Sequence, residues 1–293
     1  MITGTTKLTG LLGSPVAHSL SPKMHNTAFR SLRLDYVYLC FDVKEAQLAD
    51  AVNGLKACGV RGFNLTMPLK NRMMDLLDDC TPAASLIRAV NTVVNEDGRL
   101  IGYNTDGSGF LQSLEESGTS VKGRRMVLLG AGGAASAIAV QTALEGAAQL
   151  DLFLRMSSRF LSGSAALADE LNRKTDCRVR MLDLEDEALL EERIRDADIL
   201  VNATPVGMEP DTDRCLIRDA GMLSPSLTVA DIIYHPRTTK LLAVAKEAGC
   251  RICPGTGMLL HQGAEAFRLW TGKEMPLDQI RDVVGLAPEQ GLL

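Results

Sequence analysis

No apolar run in the chain approaches the roughly 18 residues of a membrane-spanning helix. The first residues, Met1-Ile2-Thr3-Gly4-Thr5-Thr6-Lys7, lack the basic-then-apolar layout of a secretory signal. No charge of one sign dominates: the net charge is −5, which gives neither nucleic acid nor an anionic membrane surface a reason to bind. Internal repeats, low-complexity tracts and extended linkers are also missing. The four histidines (18, 25, 235 and 261) lie far apart, without metal-ligand spacing. Seven cysteines, an odd number, are scattered at 40, 58, 80, 177, 215, 250 and 253. That usage is expected of a reduced, cytoplasmic protein. Cys250 and Cys253 form a C-x-x-C without a second pair or accompanying histidines, and read as buried strand cysteines rather than a redox or zinc site. Trp270, the single tryptophan, falls on a helical stretch with Phe267 and reads as a packing residue.

What remains is an ordinary globular composition, 46% hydrophobic and 23% charged, in a chain of 293 residues that is long for one core and suits two domains. The most informative stretch is Val127-Leu128-Leu129-Gly130-Ala131-Gly132-Gly133-Ala134-Ala135. Met126 to Leu129 reads as a buried strand and Ala134 to Leu144 as the helix after it. Gly130, Gly132 and Ala135 fit G-x-G-x-x-[G/A]. The first glycine allows the tight turn, the second lets a pyrophosphate approach the backbone, and the last small residue lets helix and strand pack closely. Free N–H groups of the new helix then face the phosphates. The same spacing occurs where a Gly/Ala-rich helix start merely packs closely. Here further strand–helix alternation follows, as a dinucleotide fold requires.

In the first hundred residues, Leu8–Leu12, Tyr36–Phe41 and Val60–Leu65 read as strands, and Glu45–Ala57 as a helix. Ser21 followed by Pro22 predicts an N-cap and first position for a helix to about Leu32. Capping accounts for Ser21 and leaves Ser19 as a second polar group near a helix start. Asn64, Thr66 and Lys70 gather around Pro68 beyond the end of a strand, where open α/β sheets bind ligands. Strands Asn91–Asn95 and Leu100–Tyr103 flank Glu96-Asp97-Gly98, which predicts a hairpin. The hairpin delivers Asn104-Thr105-Asp106-Gly107 to a strand end. Local sequence leaves Asp106 open between a site residue and the N-cap of a helix from about Ser108.

Several separated blocks occur in one order. They are Ser19-Leu20-Ser21-Pro22, Asn64-Leu65-Thr66-Met67-Pro68-Leu69-Lys70, Asn91-Thr92, Asn104-Thr105-Asp106-Gly107 and Gly130-Ala131-Gly132-Gly133-Ala134. After them come Asn202-Ala203-Thr204-Pro205-Val206-Gly207-Met208, Asp231-Ile232-Ile233-Tyr234 and Gly257-Met258-Leu259-Leu260-His261-Gln262-Gly263-Ala264. With these blocks the chain resembles the shikimate/quinate dehydrogenase family over nearly its whole length. The resemblance implies an α/β fold of two domains with the active site in the cleft between them. A mixed-sheet substrate domain would span 1–106 and a Rossmann domain for NAD(P) 107–256, with C-terminal helices at 257–293 returning to the substrate domain.

The resemblance also implies interconversion of 3-dehydroshikimate and shikimate, with quinate an alternative polyol and chorismate-pathway biosynthesis the setting. Lys70 and Asp106 match the family's catalytic pair. A lysine, ordinarily titrating near 10.4, is a natural proton donor to the alkoxide formed as hydride reaches the ring carbonyl. Asp106 would orient Lys70 and hold it charged. Ser19 and Ser21 match the positions that hold the substrate carboxylate. Asn64, Thr66, Asn91 and Gln262 match those that bond the ring hydroxyls, and Tyr234 joins the substrate set. Without the resemblance, Gln262 reads as a polar residue on an exposed helix face and Tyr234 as a strand-end aromatic. No metal is expected.

For the cofactor, Leu150–Leu154 is expected to be the second Rossmann strand, ending in Leu154-Arg155-Met156-Ser157-Ser158-Arg159. NAD sites place an acid at this strand end, whereas NADP sites place arginine. Asp151 is expected near the strand's beginning, pointing away from the cofactor. In NADP-binding members two arginines spaced like Arg155 and Arg159 clamp the phosphate, although Leu154 and Met156 depart from the family's Asn-Arg-Thr. Two arginines on a solvent-facing turn is the alternative. Val179–Leu182, Ile199–Val201 and Leu227–Ile232 supply further strands. Asn202, Thr204 and Pro205 would line the nicotinamide side, and Gly257 and Met258 would close over it. Met258 reads equally as core. The expectation is therefore an NADP-preferring shikimate dehydrogenase, monomer or homodimer. The alternatives are a quinate/shikimate enzyme with NAD or mixed cofactor use, and a non-catalytic dinucleotide sensor.

Overall fold

A computed structural model describes residues 2–285. Met1 of the N-terminal stretch, and the part of the expected C-terminal region from 286 to 293, lie outside the described residues. The chain divides into two compact units, residues 2–105 with 262–285, and Asp106–His261.

The first unit is built on a six-stranded mixed sheet. Strands β1 (Lys7–Gly13), β2 (Tyr36–Asp42) and β3 (Gly62–Leu65) run parallel, linked by helices α1 (Ser21–Ser31) and α2 (Leu48–Ala57). A 3₁₀ turn over Glu45–Gln47 precedes α2, so the single helix expected from Glu45 is broken at its first turn. The short β4 (Asp79–Cys80) leads into α3 (Pro82–Ile87), after which β5 (Thr92–Glu96) and β6 (Arg99–Tyr103) form the expected antiparallel hairpin. Asp97 and Gly98 turn it with φ of 50° and 91°, the positive values that suit the right-handed twist of paired strands. The strand order is β2-β1-β3-β5-β6-β4. Leu12, Phe63, Leu65, Val93 and Leu100 from the sheet pack with Leu48 and Val52 of α2 to make the core of this unit.

At the junction of the units, α4 (Thr105–Glu116) begins directly after β6. The second unit then continues through β7 (Arg125–Leu129), α5 (Gly133–Leu144), β8 (Gln149–Leu154), α6 (Leu161–Lys174) and β9 (Arg178–Asp183). It goes on through α7 (Glu187–Asp196), β10 (Ile199–Asn202), β11 (Thr228–Asp231), α8 (Lys240–Glu247) and β12 (Arg251–Cys253). All six strands are parallel, in the order β12-β11-β10-β7-β8-β9. This is the doubly wound dinucleotide-fold order. Central strands β10 and β11 are buried at every position, which is why they read as unbroken apolar runs rather than alternating ones. Helix α5 is buried on most of its circumference, through Ala135, Ala137, Ile138, Ala139, Val140 and Ala143; small side chains let it sit close to the sheet. Two last helices follow, α9 (Gly255–Thr271) and α10 (Leu277–Val283). Among the described residues, no helix is long and apolar enough to cross a membrane, and no group of three or more His, Cys, Asp or Glu is placed to hold a metal ion.

Candidate active site

In the first unit, the polar residues of interest gather at the carboxyl ends of β1, β3 and β6. Helix α1 starts at Ser21, one residue earlier than a Ser21 cap requires, and its N-cap position falls to Leu20, which offers no side-chain bond. Ser19 takes the role instead: the Ser21 amide N–H donates to Ser19 Oγ at 3.2 Å. The expected assignment is thus reversed, because Pro22 lets the helical turn begin before it and leaves the Ser21 amide needing an acceptor.

Asn64, the third residue of β3, is buried. Its Nδ2 donates to the Asn91 carbonyl at 3.1 Å and to Thr92 Oγ1 at 3.0 Å, while its Oδ1 accepts from Tyr38 Oη at 2.8 Å. Asn91 is buried too, and donates from Nδ2 to Thr105 Oγ1 at 2.9 Å. Its Oδ1 accepts from the Thr105 amide at 2.8 Å and from Thr92 Oγ1 at 3.0 Å. Thr105 Oγ1 in turn donates to the backbone carbonyl of Gln262 at 3.0 Å. The fold therefore gathers Asn64, Asn91 and the Gln262 backbone into one buried hydrogen-bonded cluster. Thr66 and Lys70 lie on the turn after β3, both half-buried, with the Lys70 carbonyl accepting from the Val90 amide at 3.0 Å.

Asp106 is the second residue of α4, buried in the first helical turn. A helix capped by Asp106 and starting near Ser108 is not formed, because the helix begins at Thr105. An acidic side chain in a first turn also faces the positive end of the helix dipole.

In the second unit, the strand order reverses between β7 and β10, the switch point at which doubly wound folds bind ligands. Gly130 follows β7 there with φ +119°. A Cβ at this position would lie 2.7 Å from the Ala203 carbonyl oxygen, so both conformation and space demand glycine. Helix α5 starts with Gly132 at its N-cap and no side-chain cap bond, leaving first-turn amides such as that of Ala134 for another acceptor. Cβ atoms added at Gly132 or Gly133 would meet nothing within 4 Å. An uncapped helix start behind open glycines fits a pyrophosphate.

Next to it, β8 ends in the buried Leu154, and the exposed Arg155 follows. Arg159 lies over the Phe160 ring at 4.8 Å. Among the described residues, neither arginine forms an ion pair. Asp151 is in the middle of β8 rather than at its beginning, since Gln149 pairs with Arg125 and Arg178 and extends the strand backwards. It is buried against Arg180. No acid remains at the end of β8, so the donor set fits a phosphate better than a bare ribose.

At the end of β10, Asn202 Nδ2 donates to the Val206 carbonyl and to Asp231 Oδ1, both at 3.2 Å. Its Oδ1 accepts from the Thr204 amide at 3.1 Å and the Thr204 hydroxyl at 2.7 Å. Asn202 thereby shapes the Thr204-Pro205 turn beside Gly130. Asp231, not singled out from the sequence, anchors this turn: it also accepts from Thr239 Oγ1 at 2.7 Å and the Ile233 amide at 3.0 Å. Burial raises its carboxyl above the ordinary value despite these bonds. Tyr234 lies beyond β11 in a loop, 48% exposed. Gly257 abuts Ser113 of α4, where a Cβ would collide with the hydroxyl, and Met258 is half-buried beside it.

Comparison with known proteins bears on the same elements. The family model for the shikimate dehydrogenase substrate-binding domain matches residues 11–93, and that for the shikimate 5'-dehydrogenase C-terminal domain matches 255–284. The chain is 46% identical over 283 residues to the shikimate dehydrogenase (NADP(+)) of Listeria monocytogenes serotype 4b (strain F2365), covering 97% of each chain. The chain belongs to the shikimate dehydrogenase family. Within that family it is also 49% identical over 287 residues to the shikimate dehydrogenase (NADP(+)) of Streptococcus pyogenes serotype M28, covering 97% of this chain and 98% of the relative. The crystal structure of shikimate 5-dehydrogenase from Listeria monocytogenes in complex with shikimate and NAD superposes with a TM-score of 0.94 at 46% identity, covering 97% of this chain and 98% of that one. The two-domain α/β fold expected from the sequence is the fold of this family.

Proposed function

We propose that the chain is an NADP-preferring oxidoreductase that reversibly reduces 3-dehydroshikimate to shikimate. The observation that carries this reading is the glycine turn at Gly130, set at the strand-order switch point beside Arg155, in a chain whose relatives are named shikimate dehydrogenase (NADP(+)). When bound, the dinucleotide supplies hydride to the ring carbonyl carbon or accepts it in the reverse direction.

The protein's own residues do the rest. Lys70 gives the proton to the carbonyl oxygen as it becomes an alkoxide, and takes it back in the oxidation. Asp106 is the carboxylate of the catalytic pair. Ser19 and Ser21 hold the substrate carboxylate, Asn64, Thr66, Asn91 and Gln262 bond the ring hydroxyls, and Tyr234 completes the substrate set. A polyhydroxylated acid calls for such neutral groups, because a hydroxyl left unpaired on desolvation is costly. Gly130, Ala131, Gly132, Gly133 and Ala134 cradle the pyrophosphate, and Arg155 with Arg159 meets the 2′-phosphate. Asn202, Thr204, Pro205, Gly257 and Met258 line the nicotinamide. We place the enzyme in the cytoplasm, as a monomer or homodimer.

A second reading, use of NAD, draws on one observation: the Listeria structure was solved with shikimate and NAD. The deciding experiment is steady-state oxidation of shikimate and of quinate, each with NADP and with NAD, followed by nicotinamide absorbance. Turnover fastest with shikimate and NADP is expected. Comparable rates with NAD or quinate would favour the dual-specificity reading, and no turnover in any combination would overturn both.

A further inference from the structure

Tyr38 was not among the residues the sequence marked, yet it bonds directly to one of the proposed substrate contacts. It is the third residue of β2, an edge strand whose outward backbone groups have no strand partner. Asn26 of α1 supplies one: the Tyr38 amide donates to Asn26 Oδ1 at 2.9 Å, and Asn26 Nδ2 donates to the Tyr38 carbonyl at 2.9 Å. The side chain points inward and is 0% exposed. Its ring stacks on His25, with centroids 4.5 Å apart and planes 10° off parallel, and meets Trp270 at 6.0 Å. Main chain and ring are thus both pinned, and a buried phenol must find a partner. That partner is Asn64 Oδ1, at 2.8 Å.

The consequence for Asn64 is specific. An asparagine amide can present either end to a ligand, and the choice is set by its neighbours. Here the phenol donates to Oδ1, while both Nδ2 protons are committed to the Asn91 carbonyl and Thr92 Oγ1. Only a lone pair of Oδ1 remains to offer, so Asn64 faces a substrate as an acceptor. We propose that Tyr38 is a positioning residue of the substrate site, whose clamped phenol fixes the orientation of the Asn64 amide. This rests on the functional reading above, in which Asn64 contacts substrate.

Tyr38→Phe keeps the ring and its stacking and removes only the hydroxyl. The KM for shikimate is expected to rise roughly five- to tenfold, the scale of one lost neutral hydrogen bond, with kcat changed by less than about twofold and the KM for NADP unmoved. In an Asn64→Ala background the same substitution is expected to add less than about twofold, because the phenol acts largely through Asn64. An unchanged shikimate KM, a parallel rise for NADP, or the same rise in both backgrounds overturns the inference and leaves the functional reading standing. A Tyr38→Phe variant that fails to fold assigns the phenol to the core instead and also overturns it. A wild-type protein without shikimate turnover overturns the functional reading, and this inference with it.

Discussion

Arg180 grips Asp151 in a two-pronged ion pair, Nε to Oδ1 and Nη2 to Oδ2, each at 2.7 Å. Asp151 lies at roughly the distance from the glycines where an NAD site carries its ribose-binding acid, but the pair commits this carboxylate to the neighbouring strand β9. Gln149 Nε2 adds a third bond at 3.0 Å. The acid is part of the sheet, and it leaves the end of β8 to Arg155.

Asp151→Ala is therefore expected to destabilise the fold without changing cofactor choice. Removing one partner of a buried pair strands the other charge; with the Arg180 side chain 23% exposed, solvent reduces the cost to about 2–3 kcal/mol. Urea unfolding measures the loss. The ratio of NADP to NAD efficiency stays at its wild-type value, and a shift in that ratio would contradict the assignment.

Arg155→Ala tests the other side of the same argument. Loss of a charge-assisted phosphate contact is expected to raise the KM for NADP about tenfold or more, and that for NAD by less than about twofold. Steady-state kinetics with each cofactor gives the comparison. Equal effects on the two would remove the phosphate-clamp argument.

Lys70→Ala separates an enzyme from a dinucleotide sensor. Turnover should fall by about 10²–10⁴-fold, the usual contribution of a positioned acid/base. NADPH binding, followed by nicotinamide fluorescence, should persist. Undiminished turnover would sink the assigned role of Lys70.

His25 predicts a pH dependence of stability. It is fully buried among Tyr38, Phe267 and Trp270, and its Nδ1 has no hydrogen-bond partner. Burial lowers its pKa from 6.5 to about 3. Between these values the unfolded chain takes up a proton that the folded one refuses, so stability falls as pH falls through the window, by up to about 1.4 kcal/mol per unit. Above pH 6.5 the effect vanishes. Denaturant midpoints for wild type and His25→Phe between pH 7 and 5, above the carboxylate range, should diverge, with the variant flatter. Parallel curves would show that His25 is protonated in the fold.

What was legible in the sequence follows from which forces act locally. The run Met126–Leu129 and the glycines after it announce a buried strand and a turn because burial on both faces and a positive φ leave direct marks on residue type. The hairpin at Asp97-Gly98 was readable for the same reason. Tyr38 was not: it stands in an alternating strand, and its partner Asn64 becomes a neighbour only because β1 lies between β2 and β3. Asp231 was hidden likewise, since Asn202 and Thr239 reach it from separate elements. The exchange of roles between Ser19 and Ser21 shows a subtler limit. Ser-x-Ser-Pro marks a helix start, but which serine caps it depends on where the first turn closes.

One contact also bears on the order in which the chain is made. Trp270 Nε1 donates to the Val93 carbonyl at 3.0 Å, and Arg61 Nε donates to the Trp270 carbonyl at 2.9 Å. Gly62 carries no side chain because the indole occupies the space where one would go. The first unit is thus closed by a helix that leaves the ribosome only after the whole of Asp106–His261. During synthesis the uninterrupted dinucleotide unit can complete its sheet first, while β3 and β5 wait with an open apolar seat. A fragment ending at Thr105 would keep that seat permanently empty, whereas Asp106–His261 is continuous in sequence and waits for no later segment to complete its sheet.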